Sequence, residues 1–175
     1  LCLAPFTSVI FLGALERYTE QLRRQPALAG LPFERWPEVV QEAIHWGLLS
    51  AHPEMPGYLR LQPMLPYFLC GRLHAPEGAE LRSAVEAAFR QLYDGLGDEL
   101  ADLLHSKEAQ EKQWGQALAS LEYENLATAL KLALEAQASI LNPYVALSRY
   151  LDATQEHRRG LELGQMVLAG LEAYP

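Results

Sequence analysis

Two cysteines in 175 residues, Cys2 and Cys70, leave no disulfide framework and no four-ligand metal site. No apolar stretch reaches the ~18–20 residues of a membrane-spanning helix. Cationic side chains are in the minority, 14 Lys+Arg against 22 Asp+Glu. The resulting net charge of −8 argues against a chain that coats nucleic acid or an anionic membrane through bulk charge. The phosphate-binding pattern G-x-x-x-x-G-K-[ST] does not occur, and no run of glycines could cradle phosphates on backbone amides. No Asp pair ends an apolar strand where Mg²⁺ would be held. Of the five histidines (His45, His52, His74, His105, His157), no two stand at helical ligand spacing. Cys70 and His74 are four apart and could share a helix face, but a buried thiol beside a boundary histidine is the ordinary reading. The sequence therefore predicts no catalytic, cofactor-binding or metal-binding residues, and it supplies neither an oxyanion hole nor an orienting group for a Cys/His dyad.

Residues 1–15 are apolar, but Pro5 interrupts them and no basic n-region precedes them, so they do not read as a signal peptide. The chain opens on Leu1 without Met. The expectation is a fragment of a longer cytoplasmic chain.

What is present divides in two. Pro5, Pro26, Pro32, Pro37, Pro53, Pro56, Pro63, Pro66 and Pro76 precede residue 77, and only Pro143 and Pro175 follow. Residues 1–76 are neutral: Arg17, Arg23, Arg24, Arg35, Arg60 and Arg72 balance Glu16, Glu20, Glu34, Glu38, Glu42 and Glu54. All of the −8 lies in residues 77–175. A boundary near residues 74–78 is expected, giving modules 1–76 and 77–175.

In the first module, Phe11, Leu15, Tyr18 and Leu22 predict a helix over about residues 7–24, capped by Thr7 or Ser8. A proline-punctuated connection follows. A second helix begins with Pro37 in its first turn, buries Val39, Val40, Ala43, Ile44 and Trp46, and ends at Gly47. Leu48-Leu49-Ser50 and Tyr58–Leu61 read as short strands joined by the Pro/Gly turn 52–57, and residues 64–73 as a closing helix. Helix, helix, hairpin and helix is the plan of a winged helix. Its functional reading is DNA contact through a helix in the major groove. Glu34, Glu38 and Glu42 stripe the helix in that position against one Arg35, and the wing offers only Arg60. Phosphates would be repelled there, so a protein-packing module is favoured.

The second module is helical. Leu81, Val85, Phe89, Leu92, Leu96, Leu100 and Leu103 predict an amphipathic helix over about residues 79–105, weakened by Gly95 and Gly97. Ser106 is placed to cap the next, which carries Trp114, Leu118 and Leu121. The phase then shifts to Leu126, Leu130, Ala133 and Leu134, which admits a turn near Glu122-Tyr123 or one bent helix. Glu124-Asn125 reads as a polar pair satisfying backbone groups between helices, with ligand contact the alternative. Trp114 reads as a helix-pair packing residue. Asn142-Pro143 breaks the chain, with Asn as cap and Pro at N1. A last helical pair follows over 144–153 and 160–174, with Leu147 and Leu151 facing Leu161, Met166, Leu168 and Leu171. Arg158-Arg159 reads as a solvated turn, with an anion contact as the alternative. Paired short helices predict an α-solenoid, divergent in its repeat. An open end at Tyr174 would expose apolar surface, so a homodimer of this chain is expected.

Gly47-Leu48-Leu49, Gly57-Tyr58-Leu59-Arg60-Leu61-Gln62-Pro63 and Leu65-Pro66-Tyr67-Phe68-Leu69, taken together, resemble a segment of the STAND-class signal-transduction ATPases (NB-ARC type) of bacteria. In those proteins a winged helix follows the nucleotide-binding core, with the typical text "GLL", "Y-x-L-H-P" and "L-x-x-Y/F-L". Gln62 stands where the family usually has His, so the nucleotide-sensing role of that His is not carried over. Trp114, Leu118, Leu121, Glu124, Asn125, Leu126, Ala129 and Leu130 look like the run that opens the family's tetratricopeptide-like arm, and Tyr150-Leu151 with Arg159–Glu162 resembles its next hairpin. The signature residues are Gly57, Leu61, Trp114, Glu124, Asn125 and Leu126.

The resemblance implies a mainly α fold, a winged helix followed by a tetratricopeptide-like array. It implies a non-catalytic signalling module, with an upstream nucleotide-binding domain and a protein or peptide partner on the helical arm. The competing readings are a transcription regulator whose winged helix contacts DNA while its arm dimerises, and a small enzyme with an unfamiliar helical site.

Overall fold

In the computed structural model, which describes residues 1–174, Val9–Phe11 form a strand, β1, and the first helix, α1, starts only at Leu12 and runs to Arg23. This corrects the helix expected from residue 7. The reason is non-local. Val9, Ile10 and Phe11 lie antiparallel to Arg60, Leu59 and Tyr58, and two β-branched residues and an aromatic suit a pleated surface better than a first helical turn. The cap position falls to Phe11, not to Thr7 or Ser8.

Two 3₁₀ turns, Pro26–Leu28 and Phe33–Arg35, lead into α2 (Trp36–His45), which has proline in its first turn. Gly47 ends α2 with φ +69°. Its amide donates to the Ile44 carbonyl (3.0 Å), and that of Leu48 to the Ala43 carbonyl (2.8 Å), the Schellman pattern that a left-handed glycine allows. Strands β2 (Leu49–Ala51) and β3 (Tyr58–Leu61) complete a three-stranded antiparallel sheet in the order β1-β3-β2. Gly57 turns the chain into β3 with φ +84°, and its carbonyl accepts the Leu12 amide at 2.8 Å. The Phe11 and Tyr58 rings, opposite each other in register, stack at 4.9 Å. Helix α3 (Met64–Leu73) follows, then a 3₁₀ turn at Pro76–Gly78 and the long helix α4 (Ala79–His105).

The chain divides into two compact units, Leu1–Leu92 and Tyr93–Pro175, and the division falls inside α4. Pro175 itself, the last residue of the second expected module, lies outside the described residues. The first unit is centred on Phe6, whose ring meets Tyr18 and Phe89 edge-on at 5.3 and 5.0 Å. Around it Ile10, Leu22, Leu28 and Leu73 are buried.

In the second unit α5 (Ala109–Glu135), α6 (Leu141–Ala153) and α7 (His157–Leu171) follow the end of α4. Gly115 lies against Leu103, while Tyr93 bonds to Glu122, so α5 returns antiparallel to α4. Gly97 touches Asn142, and Arg149 donates to the Ala101 carbonyl (2.6 Å), so α6 runs parallel to α4. Helix α7 runs parallel to α5. Arg159 covers Tyr123, Gly170 lies against Leu134, and the Tyr174 hydroxyl donates to the Ala138 carbonyl 36 residues back.

Several expectations change here. Helix α5 is continuous through Glu122 and Tyr123, because Glu122 and Asn125 are buried on the same face as Leu126 and Ala129. Gly95 and Gly97 do not break α4. The cap position of α5 is Glu108; Ser106 acts two residues earlier, its Oγ accepting the Glu108 amide (3.1 Å). The cap position of α6 is Ile140, and Asn142 makes no cap. On α7 the buried residues are Leu163 and Val167, while Leu161 and Leu168 face solvent.

Helices α5 and α6 both end on a left-handed glutamine, Gln137 (φ 51°) and Gln155 (φ 59°). Each supports the hydrogen-bond pair that Gly47 makes for α2. A side chain in that conformation costs ~1–2 kcal/mol, offset in part by the chain entropy that glycine adds to the unfolded state. Gln155→Gly is therefore expected to stabilise the protein by up to ~1 kcal/mol, read as a higher urea midpoint at unchanged slope. A loss of stability would show that the Gln155 side chain contributes more than its backbone conformation costs.

Candidate functional site

Helix α2 does not bury the side expected. Val40 is its only buried residue; Val39, Ile44 and Trp46 are exposed, Trp46 to 74%. Exposed Leu48 follows, and its carbonyl accepts the Gln62 amide (2.9 Å), which sets it beside the start of α3. There Met64, Tyr67 and Phe68 are also exposed. The sequence signals the apolar character of these positions, but not which helix faces lack a neighbour.

Glu34, Glu38 and Glu42 are all exposed, on α2 and the 3₁₀ turn before it. Arg35 Nε donates to Glu38 at 2.9 Å, and its guanidinium pKa is raised chiefly by that hydrogen bond. Arg35 is therefore paired with the first turn of α2, and Arg60 is exposed on β3. A groove of about 450 Å³ runs between α1 and α2, walled by Leu12, Leu15, Phe33, Trp36 and Val40 and edged by Glu16, Glu20 and Arg23, so its rim carries both signs of charge.

The signature residues separate into two kinds. Gly57 and Leu61 hold the sheet: Gly57 by its φ, Leu61 by burial and by an amide bonded to the Ser8 carbonyl (3.0 Å). Leu126 is fully buried. Asn125 is fully buried too, and its Nδ2 donates to Glu122 Oε2 (2.9 Å). Glu124 is exposed, so the expected Glu124-Asn125 pair does not act together. The Tyr93 hydroxyl donates to the same Glu122 oxygen at 2.8 Å. Glu122, which the sequence did not single out, is thus the shared acceptor of a buried cluster. Its signal was there: a carboxylate three residues before Asn125, in phase with Leu126 and Ala129. Trp114 is 55% exposed and does not pack a helix pair.

Arg159 bonds Glu156 at 2.7 Å and lies over the Tyr123 ring at 4.2 Å, while Arg158 reaches Glu162 at 3.0 Å. Both side chains thus have partners within their own unit. Burial pushes the Cys2 and Cys70 thiols up, Cys70 with help from the Glu86 charge, which keeps both protonated and poorly nucleophilic at neutral pH. His74 Nδ1 lies 2.9 Å from the Cys70 carbonyl oxygen, on backbone and not on the thiol. His52 Nδ1 accepts the amides of Glu54 and Met55 (3.3 and 3.1 Å) and so shapes the turn between β2 and β3. Among the described residues, no three His, Cys, Asp or Glu side chains are grouped to hold a metal ion. Nor, among them, is any helix long and apolar enough to cross a membrane. No family model matches the chain, and neither a curated protein nor a solved structure matches it.

Proposed function

We propose that the chain is a non-catalytic regulatory and protein-interaction module, a winged-helix-like unit followed by a tetratricopeptide-like helical array of the kind found in STAND-type signalling ATPases. The order β1, α1, α2, β2, β3, α3 with sheet order β1-β3-β2 supports the first part. The alternating helices of the second unit, with α7 meeting α5 at an offset of 36 residues (Arg159 over Tyr123, Gly170 against Leu134), support the second, since the tetratricopeptide period is ~34. In this reading the first unit packs against a nucleotide-binding domain, and the helical arm receives a protein or peptide partner.

The observation that carries an interaction role is the α2 surface: Val39 and Trp46, seven residues apart and so on one face, exposed beside a stripe of three carboxylates. Apolar side chains want a dry partner, and the carboxylates disfavour DNA as that partner. A photocrosslinking residue at position 46, placed in the chain in its own cell, is expected to give a discrete protein adduct. Val39→Glu should reduce that adduct by about tenfold or more without altering the fold, because Val39 is exposed. Adducts to nucleic acid, together with salt-dependent retention of a duplex DNA probe lost in Arg35→Ala/Arg60→Ala, would overturn the reading in favour of a DNA contact.

A further inference from the structure

We infer that the solvent face of α7 is a two-fold docking surface for a second copy of this chain. At 100° per residue, His157, Leu161, Gly164, Leu168 and Glu172 share one face of α7, about 120° round the helix from buried Leu163 and Val167. Glu172, the C-cap, keeps helical dihedrals (φ −60°, ψ −22°), so it continues the face. Leu161 is 64% exposed and Leu168 66%, and His157 and Glu172 are exposed at the two ends.

The face reads the same in both directions. About the midpoint between Gly164 and Gln165, position 161 mirrors 168 and position 157 mirrors 172. An antiparallel second copy centred there sets Leu161 on Leu168 of the other chain, twice, and His157 beside the other chain's Glu172, twice. That is the self-complementarity a closed two-fold contact requires. The polar ends agree with it: the His157 imidazole, a hydrogen-bond donor, meets the Glu172 carboxylate, an acceptor, at each end, and the helix dipoles run opposite. A Cβ built on Gly164 meets nothing within 4 Å, so the fold of this unit does not demand glycine there. At the crossing point of two helices, its missing side chain lets the backbones approach. Arg158 and Glu162, ion-paired at 3.0 Å, give the stripe a charged, solvated rim.

The occupant is a second copy because the palindrome of apolar and charged positions matches itself. One helix face per chain is smaller than a standard interface of about 1,200 Å² or more, so the dimer is weak and concentration-dependent. This inference is independent of the reading given for α2.

Sedimentation equilibrium of the full chain at low salt, up to about 1 mM, is expected to show a monomer–dimer equilibrium. Leu161→Glu and Leu168→Glu should each weaken it at least about tenfold at unchanged circular dichroism, both residues being exposed. His157→Glu should weaken it about threefold or more, and adding Glu172→Lys in the same chain should restore it, because the swap rebuilds both cross-chain pairs. A monomer throughout, a dimer indifferent to the leucine changes, or a charge swap that fails to restore association would each overturn it.

Discussion

Gly97→Ala is expected to lower the stability of the protein, while Gly95→Ala, two residues earlier on the same helix, raises it. Both glycines lie in the middle of α4. Alanine is favoured over glycine in a helix interior by about 1 kcal/mol, so the bare propensity argument predicts the same gain at both. Their surroundings separate them. A Cβ on Gly95 meets nothing within 4 Å. A Cβ on Gly97 would stand 2.8 Å from the Asn142 carbonyl carbon, 2.9 Å from its oxygen and 2.9 Å from the Pro143 nitrogen. These are backbone atoms at the start of α6, and Pro143 is buried, so no side chain can turn aside. Overpacking of this kind costs ~1–3 kcal/mol or more and outweighs the helix gain.

The expected pattern is a rise of ~2–4 °C in Tm for Gly95→Ala, a net fall for Gly97→Ala, and a loss of ~3 kcal/mol or more for Gly97→Val. Thermal and urea unfolding of the three variants would read it. Equal stability of the two alanine variants would mean that α6 does not cross α4 at Gly97. Because Arg149 also reaches the Ala101 carbonyl, Gly97→Val should loosen that contact as well, visible as faster amide exchange in α6.

These glycines also show what a single sequence discloses. Local punctuation was legible. Gly47 closes α2, Gly57 turns into β3, Pro37 sits in a first helical turn, α3 keeps the bounds read from its apolar composition, and α4 those read from periodicity. Each of these depends on the residue and its immediate neighbours. What failed depended on a distant partner. Val9–Phe11 carries the helical phase of α1, yet pairing with β3 makes it a strand. Val39, Ile44 and Trp46 looked like a core face, and only the absence of an opposing element leaves them in water. Gly97 looked like a helix weakness, when its role is to admit another backbone. The same holds on α7, where amphipathicity is correct but the buried stripe is Leu163 and Val167 and not Leu161 and Leu168. A helix with leucines on two faces gives no internal sign of which one its neighbour will take.

The second large effect is expected at Glu122, and three substitutions separate its causes. Glu122 is 1% exposed, and its Oε2 accepts both the Tyr93 hydroxyl and the Asn125 amide, in a region where Asn125 and Leu126 are wholly buried. Removing the carboxylate takes from two buried donors an acceptor that water does not replace, at ~1–3 kcal/mol each. Glu122→Met keeps most of the volume and takes away the acceptor, so it should destabilise by ~3 kcal/mol. Glu122→Ala adds a cavity and should cost ~1 kcal/mol more. Glu122→Gln keeps an amide oxygen where both donors point and loses only the charge assistance, about 1 kcal/mol. Glu124→Ala, on the exposed side of the same helix, should lie within about 0.5 kcal/mol of the parent. Urea midpoints in the order Glu124→Ala, Glu122→Gln, Glu122→Met, Glu122→Ala, from most to least stable, would establish the acceptor as the source of the effect. A glutamine variant as damaged as the methionine one would assign it to the charge. An alanine variant no worse than Glu124→Ala would mean that α4 and α5 do not meet through this cluster, and the antiparallel pairing that Tyr93 and Glu122 define would then have to be given up.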